Sequence, residues 1–139
     1  MKNKKNFVSF DLNLVKKTFP NLKQGSENYS NLEKKIKLSL KKVDLKVNNI
    51  FSFKEFGKIV YPYYSMGKDN SINLFNANEL VVFYIYLKIK KKYKNVADMG
   101  ANLGLHSIIL NKCGYNVTSF EPDPVTFSKL KANIKLNKI

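Results

Sequence analysis

The sequence contains no arginine, and all 25 of its basic residues are lysine. With 10 acidic residues, the formal net charge is +15. The guanidinium group of arginine binds bases and phosphates through paired hydrogen bonds, so its absence argues against a dedicated nucleic-acid-binding surface. The lysines are scattered along the chain and are accompanied by 18 asparagines, a composition typical of A/T-rich codon usage. We therefore expect no specific nucleic-acid partner.

The single cysteine and the single histidine exclude several kinds of site. Cys113 has no second cysteine with which to form an internal disulfide, and one histidine cannot form a multi-histidine metal site, so we expect no metal. The longest apolar run, residues 80–87, is far too short for a membrane-spanning helix, which needs about 20 residues. Asp11 and Asn13 interrupt any apolar signal-peptide segment near the N-terminus. These features predict a cytoplasmic protein without a membrane span.

The N-terminal segment of the chain lacks a regular pattern of apolar residues. Residues 1–28 are rich in lysine and asparagine, and we expect them to be loosely ordered. Ser30 and Glu33 then have the spacing of a capping box, which predicts that a helix begins there. The apolar residues that follow recur at helical spacing and define one buried face. They are Leu32, Ile36, Leu40 and Val43.

Residues 29–94 are expected to form a mixed extension of helices and strands. Residues 43–47 and 57–64 have extended patterns, the second of which should end near Pro62. Asn76 or Asn78 is expected to cap a well-buried helix over residues 79–92. This extension leads into a second unit, residues 95–139.

The second unit has the pattern of two consecutive strand–helix pairs. A short apolar strand begins at Asn95, and Gly100 and Gly104 bracket a turn into a helix over about residues 103–112. A second strand spans residues 115–122, and Asp123 followed by Pro124 is typical of the start of another helix. Strand–helix–strand–helix is the opening of a parallel, doubly wound sheet. We therefore predict an α/β protein with the first two βα units of a Rossmann-like fold.

The turn and the second strand together predict a ligand of the adenosine type. A glycine at a strand-to-helix turn lets the backbone bend tightly and lets a ligand approach. Glu121 follows Gly100 by about 20 residues, where a carboxylate can accept hydrogen bonds from both hydroxyls of a ribose. Asn102 replaces the second glycine of the dinucleotide fingerprint, and Asp98 suits a sulfonium better than a phosphate. These features favour S-adenosylmethionine over a nicotinamide cofactor.

The segment DMGANLGLHS, followed by SFEPDP, resembles the FkbM-like family of S-adenosylmethionine-dependent methyltransferases. The specific motifs cover about residues 96–125, and a looser similarity reaches back to about residue 57. The resemblance implies an enzyme that methylates a hydroxyl group of a sugar, a lipid or a small metabolite. It also implies roles for seven residues in cofactor binding. Asp98, Gly100, Asn102 and Gly104 would form the loop under the methionine and ribose, Glu121 would bind the ribose hydroxyls, and Pro122 and Asp123 would lie near the adenine edge.

Catalysis is less directly indicated than binding. In methyl transfer the protein mainly aligns the acceptor oxygen with the methyl carbon, and a hydroxyl acceptor also benefits from a general base. His106, just past the turn, is the candidate base. The alternative is that His106 is a residue of the first helical turn that packs beside the loop.

The remaining expectations concern completeness and partners. The sequence stops at Ile139, in or just after the second helix, without the further strands of a complete fold of this class. We expect an N-terminal portion of a methyltransferase, inactive or weakly active by itself, with an open sheet edge that favours self-association. One alternative is a non-catalytic remnant or binding module that retains a nucleotide half-site. Another is a lysine-driven nucleic-acid binder, whose affinity would fall steeply with salt.

Overall fold

The computed structural model describes residues 7–19, 21–41, 43 and 49–139. Within these ranges the chain is an α/β protein with five α-helices, one 3₁₀ helix and three small sheets. The predicted α/β class is therefore confirmed. The extended pattern over residues 43–47 lies outside the described residues, except for residue 43.

The first sheet contains β1 (Phe7–Phe10), β2 (Asn49–Phe53) and β3 (Gly57–Tyr61), in that order. β1 runs parallel to β2, and β2 runs antiparallel to β3. Alternate residues of β1 and β2 are buried, and phenylalanines from both strands stack on Phe75. This aromatic cluster joins β1, from the N-terminal segment, to the core of the extension. β3 ends immediately before Pro62, as predicted.

Residues 7–18 differ from the prediction of a loosely ordered N-terminal segment. They form β1 and the short helix α1 (Asn13–Thr18), which begins where the Asp11 carboxylate accepts a hydrogen bond from the backbone N–H of Asn13. Four of their side chains lie in the core: Val8, Phe10, Leu12 and Val15. The apolar pattern of β1 is only four residues long, and its pairing partner β2 lies far along the chain. Tertiary pairing therefore determines a structure that local sequence does not indicate.

The helix α2 (Glu27–Leu40) begins earlier than the capping-box prediction placed it. Its cap is Ser26, whose hydroxyl accepts a hydrogen bond from the backbone N–H of Tyr29. The predicted apolar face is correct up to Ile36, since Leu32 and Ile36 are buried. Leu40 and Val43 pack only partly against the core.

The helix α3 (Ala77–Ile89) packs against α2 and follows a small hairpin and the 3₁₀ helix Ser71–Leu74. The hairpin consists of β4 (Ser65–Met66) and β5 (Asp69–Asn70). Asn76 caps α3 by accepting a hydrogen bond from the backbone N–H of Glu79, which decides between the two predicted caps.

The second unit consists of β6 (Asn95–Met99), α4 (Leu105–Cys113), β7 (Asn116–Phe120) and α5 (Pro124–Leu136). β6 and β7 pair in parallel, so the predicted order of strands and helices is confirmed. Among the described residues the two strands pair only with each other, which leaves both outer edges of this sheet open.

The predicted helix boundaries in this unit have clear local causes. Gly114 ends α4 in the left-handed conformation, at φ 98°. Asp123 caps α5 by accepting a hydrogen bond from the backbone N–H of Thr126, and Pro124 is in the first turn.

Cys113 is buried, and burial raises its pKa to about 11, so this side chain is a thiol at neutral pH.

Two buried asparagines of the α5 region join the second unit to the extension. Asn133 donates a hydrogen bond to the carbonyl of Leu103 at 2.8 Å and accepts one from the hydroxyl of Tyr64 at 3.0 Å. Asn137 accepts from the backbone N–H of Val60 and donates to the Val60 carbonyl, both at 2.8 Å. Asn137 thus satisfies both backbone groups of one residue in β3. A single hydrophobic cluster also includes side chains from both units.

Glu55 gives this fold a testable dependence on pH. It lies in the turn between β2 and β3, and both of its carboxylate oxygens are buried. Burial, and then the neighbouring Asp11 carboxylate, raise the pKa of Glu55 above its ordinary value of 4.5. The folded state therefore binds this proton more tightly than the unfolded chain does. The resulting stability is fully present below the unfolded pKa and is lost as the pH rises through the folded pKa.

Glu55→Gln should therefore raise the melting temperature at about pH 7 and change it little at about pH 4, where the carboxyl group is largely neutral in both states. Thermal denaturation followed by circular dichroism at the two pH values measures this difference. A variant that melts below the parent chain at neutral pH would show that the charged carboxylate is stabilising there.

Candidate functional site

The turn between β6 and α4 is bent by three residues in the left-handed region. They are Gly100 at φ 74°, Asn102 at φ 51° and Gly104 at φ 82°. Asparagine adopts this conformation more readily than most residues with a Cβ atom, which accounts for Asn102. A Cβ atom at Gly104 would lie 3.2 Å from Cγ of Leu130 in α5, whereas one at Gly100 would meet no atom within 4 Å. The turn is therefore closely packed at Gly104 and open at Gly100.

Glu121 is held against this turn by backbone hydrogen bonds. One carboxylate oxygen accepts from the N–H of Asn102 at 2.7 Å, and the other accepts from the N–H of Asp123 at 3.0 Å. The N–H groups of Gly100 and Ala101 both donate to the carbonyl of Phe120, each at 2.9 Å. The structure thus brings together the glycine turn after β6 and the acidic residue after β7, two features that sequence analysis placed in one site.

Asp98 has a hydrogen-bonded partner that the sequence analysis missed. Its carboxylate accepts from the hydroxyl of Ser107 at 2.6 Å, and the Ser107 hydroxyl lies 2.7 Å from that of Ser119. Asp98 and Ser119 are opposite one another in the parallel register of β6 and β7. The predicted second strand begins one residue before β7, so pairing the predicted strands from their first residues would have placed Thr118, and not Ser119, opposite Asp98. A shift of one residue moves side chains to the other face, and the sequence pattern does not determine the register to that accuracy. One oxygen of Asp98 is therefore engaged in fixing α4 against the sheet.

Pro122 and Asp123 lie between β7 and α5, where both are exposed. The Asp123 carboxylate is directed at the helix that it caps, and its hydrogen bonds with Thr126 lower the pKa of Asp123. Capping alone accounts for an aspartate at this position. Its backbone N–H is the group that contacts Glu121, so Asp123 also supports the carboxylate at the turn.

His106 bridges α4 and α3 through both of its ring nitrogens. Nδ1 lies 2.8 Å from the hydroxyl of Tyr86, and Nε2 lies 3.0 Å from a carboxylate oxygen of Glu79. Burial, followed by the nearby Asp98 and Glu79 charges, raises the pKa of Tyr86 to about 12. The phenol therefore keeps its proton. With the imidazole proton on Nε2, the Tyr86 hydroxyl donates a hydrogen bond to Nδ1 and Nε2–H donates one to Glu79. In this arrangement neither ring nitrogen is open to a substrate hydroxyl.

Three carboxylates surround the turn, and this determines which ligands the site suits. Asp98, Glu121 and Asp123 all lie at the carboxyl ends of β6 and β7 or just beyond them. Their charge disfavours a phosphate and suits a ligand with hydroxyl donors or a positive charge. In the part of the chain that the structure describes, no group of three or more His, Cys, Asp or Glu side chains could hold a metal ion.

Comparisons of the chain with protein-family models, with curated proteins and with solved structures gave no significant match. The resemblance to FkbM-like methyltransferases therefore stays a prediction. Over the described ranges, no helix is both long and apolar enough to cross a membrane.

Proposed function

We propose that this chain binds S-adenosylmethionine as the first part of a Rossmann-like domain and belongs to an FkbM-like methyltransferase that acts on a hydroxyl group. The observation that carries the proposal is the contact between Glu121 and the backbone N–H of Asn102. It joins a left-handed glycine turn to a carboxylate at the end of the adjacent parallel strand. Strand ends of this kind are where parallel α/β sheets bind nucleotides.

The residues at the turn are compatible with this cofactor in three respects. No atom lies within 4 Å of the position that a Cβ atom would take at Gly100, which leaves room for a ligand to approach the backbone there. Glu121 is only partly buried, and its carboxylate can exchange a backbone hydrogen bond for the hydroxyls of a ribose. The acidic surroundings favour a sulfonium and disfavour a pyrophosphate.

In the proposed mechanism, the cofactor supplies the methyl group and this chain supplies binding and orientation. Glu121 holds the ribose hydroxyls and thereby sets the position of the ligand above the turn. Asp98, oriented by Ser107, keeps negative charge beneath the turn. His106 fixes the first turn of α4 against α3 through Glu79 and Tyr86, so its proposed role is to position the loop.

Isothermal titration calorimetry with S-adenosylhomocysteine tests the proposal directly. We expect binding of this ligand, and affinities at least about 10-fold weaker for NAD⁺ and ATP, because their phosphates would approach three carboxylates. Tighter binding of NAD⁺ than of S-adenosylhomocysteine would contradict the choice of cofactor. No heat at millimolar S-adenosylhomocysteine would contradict the site itself.

A second candidate function is a nucleotide-binding module without turnover. The observation that favours it is the engagement of both His106 nitrogens, which leaves the one histidine of the sequence unavailable as a base. Detectable transfer of radiolabelled methyl groups to a pool of sugar and lipid acceptors would rule out the module, which has no turnover. Binding of S-adenosylhomocysteine without transfer is expected of the module and also of an N-terminal portion that is inactive by itself.

A further inference from the structure

The outward surface of α5 combines apolar residues and lysines in a way that the proposed cofactor site does not use. Val125, Ala132 and Leu136 follow one another at spacings of seven and four residues, which places them along one side of the helix. All three are exposed, and the two large ones strongly so, with Val125 at 63% and Leu136 at 41%. The residues of α5 that face the protein, Leu130 and Asn133, lie on a different side. We call Val125, Ala132 and Leu136 the apolar stripe.

Lysines lie beside the apolar stripe. Lys131 and Lys135 are four residues apart on the neighbouring row of α5, and Lys138 follows just after the helix ends at Leu136. All three are exposed. α5 itself contains no acidic residue, and the carboxylate of its cap, Asp123, is occupied by the backbone N–H of Thr126. No ion pair neutralises these lysines among the described residues, where the one salt bridge is that of His106 with Glu79. The helix therefore presents apolar side chains beside uncompensated positive charge.

We propose that α5 binds to the surface of anionic lipid bilayers, with the apolar stripe in the interfacial region and the three lysines at the headgroups. The charge of the surface selects this partner, because every lysine near anionic headgroups adds attraction and none of them is offset on the helix. The long lysine stems can follow apolar surface while the ammonium groups reach the headgroups. A nucleic acid would contact the lysines and leave the exposed valine and leucine in solvent. The absence of arginine also argues against a nucleic acid as the partner. This surface binding is independent of the cofactor.

Vesicle co-sedimentation of the whole chain tests the proposal at about 150 mM salt. The probes are phosphatidylcholine vesicles with and without about 30% phosphatidylglycerol. We expect binding to the anionic vesicles, and little to pure phosphatidylcholine. Leu136→Asp should weaken binding by at least about 10-fold, because it places a charge in the apolar stripe. The triple change K131E/K135E/K138E should weaken it at least as much.

The helix α2 provides matched controls for both changes. Leu38 is another exposed leucine, at 60%, and Lys34, Lys35 and Lys37 are exposed lysines on the same helix. Leu38→Asp and K34E/K35E/K37E make the same changes in charge away from the apolar stripe, and each should weaken binding by less than about 3-fold if α5 is the contacting surface. Unchanged melting temperatures show that each variant is folded.

Three results would overturn the proposal. The first is no binding of the parent chain to anionic vesicles. The second is an equal loss in the α2 and α5 lysine variants, which would mean adhesion by net charge alone. The third is full binding by Leu136→Asp, which would remove the apolar stripe from the contact. If poly-glutamate bound the chain and displaced it from vesicles while Leu136→Asp had no effect, the surface would be one for acidic macromolecules.

Discussion

Replacing Gly104 by alanine should lower the free energy of unfolding by about 2–4 kcal/mol, because two independent penalties coincide there. The residue is held at φ 82°, where an L-residue with a Cβ atom is strained. The new Cβ atom would also lie 3.2 Å from Cγ of Leu130. Leu130 is buried and lies under the turn, so it has little room to move away. Chemical denaturation followed by fluorescence or circular dichroism measures the loss.

Gly100→Ala is the matched control, because it shares the first penalty and lacks the second. Gly100 has a similar φ of 74°, but a Cβ atom there would meet nothing within 4 Å. Its substitution should therefore lower the free energy of unfolding by only about 1–2 kcal/mol, the strain of the left-handed backbone. Equal losses in the two variants would mean that Leu130 moves away from the new methyl group at no cost, and would contradict the second penalty.

The second unit was predictable from sequence because its signals are local. Gly114 and the pair Asp123–Pro124 fix helix boundaries within a few residues of themselves, and the structure has both boundaries where these residues predict them. The glycine turn is local in the same sense. Gly100 and Gly104 require left-handed backbone, and Asn102 adopts it between them. Such features need no knowledge of distant contacts.

The N-terminal segment and the extension were harder to predict because distant pairing organises them. β1 is a strand because β2 lies beside it, and the helix α1 (Asn13–Thr18) is too short to show a periodic pattern. The cap of α2 was misplaced for a different reason. Ser26 and Ser30 are both acceptable caps, and only the hydrogen bond from Tyr29 to Ser26 distinguishes them.

The candidate site likewise combines contacts that sequence spacing predicts with contacts that it does not. Sequence spacing was enough to bring Glu121 and Asn102 into one site, because consecutive strands of a βα unit end at the same edge. The partners of His106 could not be found by spacing. Glu79 and Tyr86 belong to α3, and only the packing of α3 on α4 places them against the imidazole ring. The choice between a free base and an anchored ring therefore depends on tertiary structure.

Glu121→Gln should weaken S-adenosylhomocysteine binding by about 10- to 100-fold, since hydrogen bonds to a charged acceptor contribute about 1.5–3 kcal/mol. Glutamine keeps the size of the side chain and one oxygen that can still accept from the N–H of Asn102, while the hydrogen bond from the N–H of Asp123 is lost. The fold of the turn should survive, so that the loss reports on the ligand. Titration calorimetry of the two proteins gives the ratio of dissociation constants, and a thermal melt confirms that the variant is folded.

Asp123→Asn separates the role of Glu121 from a general effect of negative charge. It removes the same charge two residues away, and asparagine caps a helix about as well as aspartate does, so α5 should be unaffected. The Asp123 carboxylate is directed at Thr126, and we expect the dissociation constant to change by less than about 3-fold. Equal losses in both variants would mean that the ligand responds only to the acidic surroundings of the turn. A loss confined to Glu121→Gln would identify one carboxylate as the group that holds the ribose, and with it the orientation of the cofactor above Gly100.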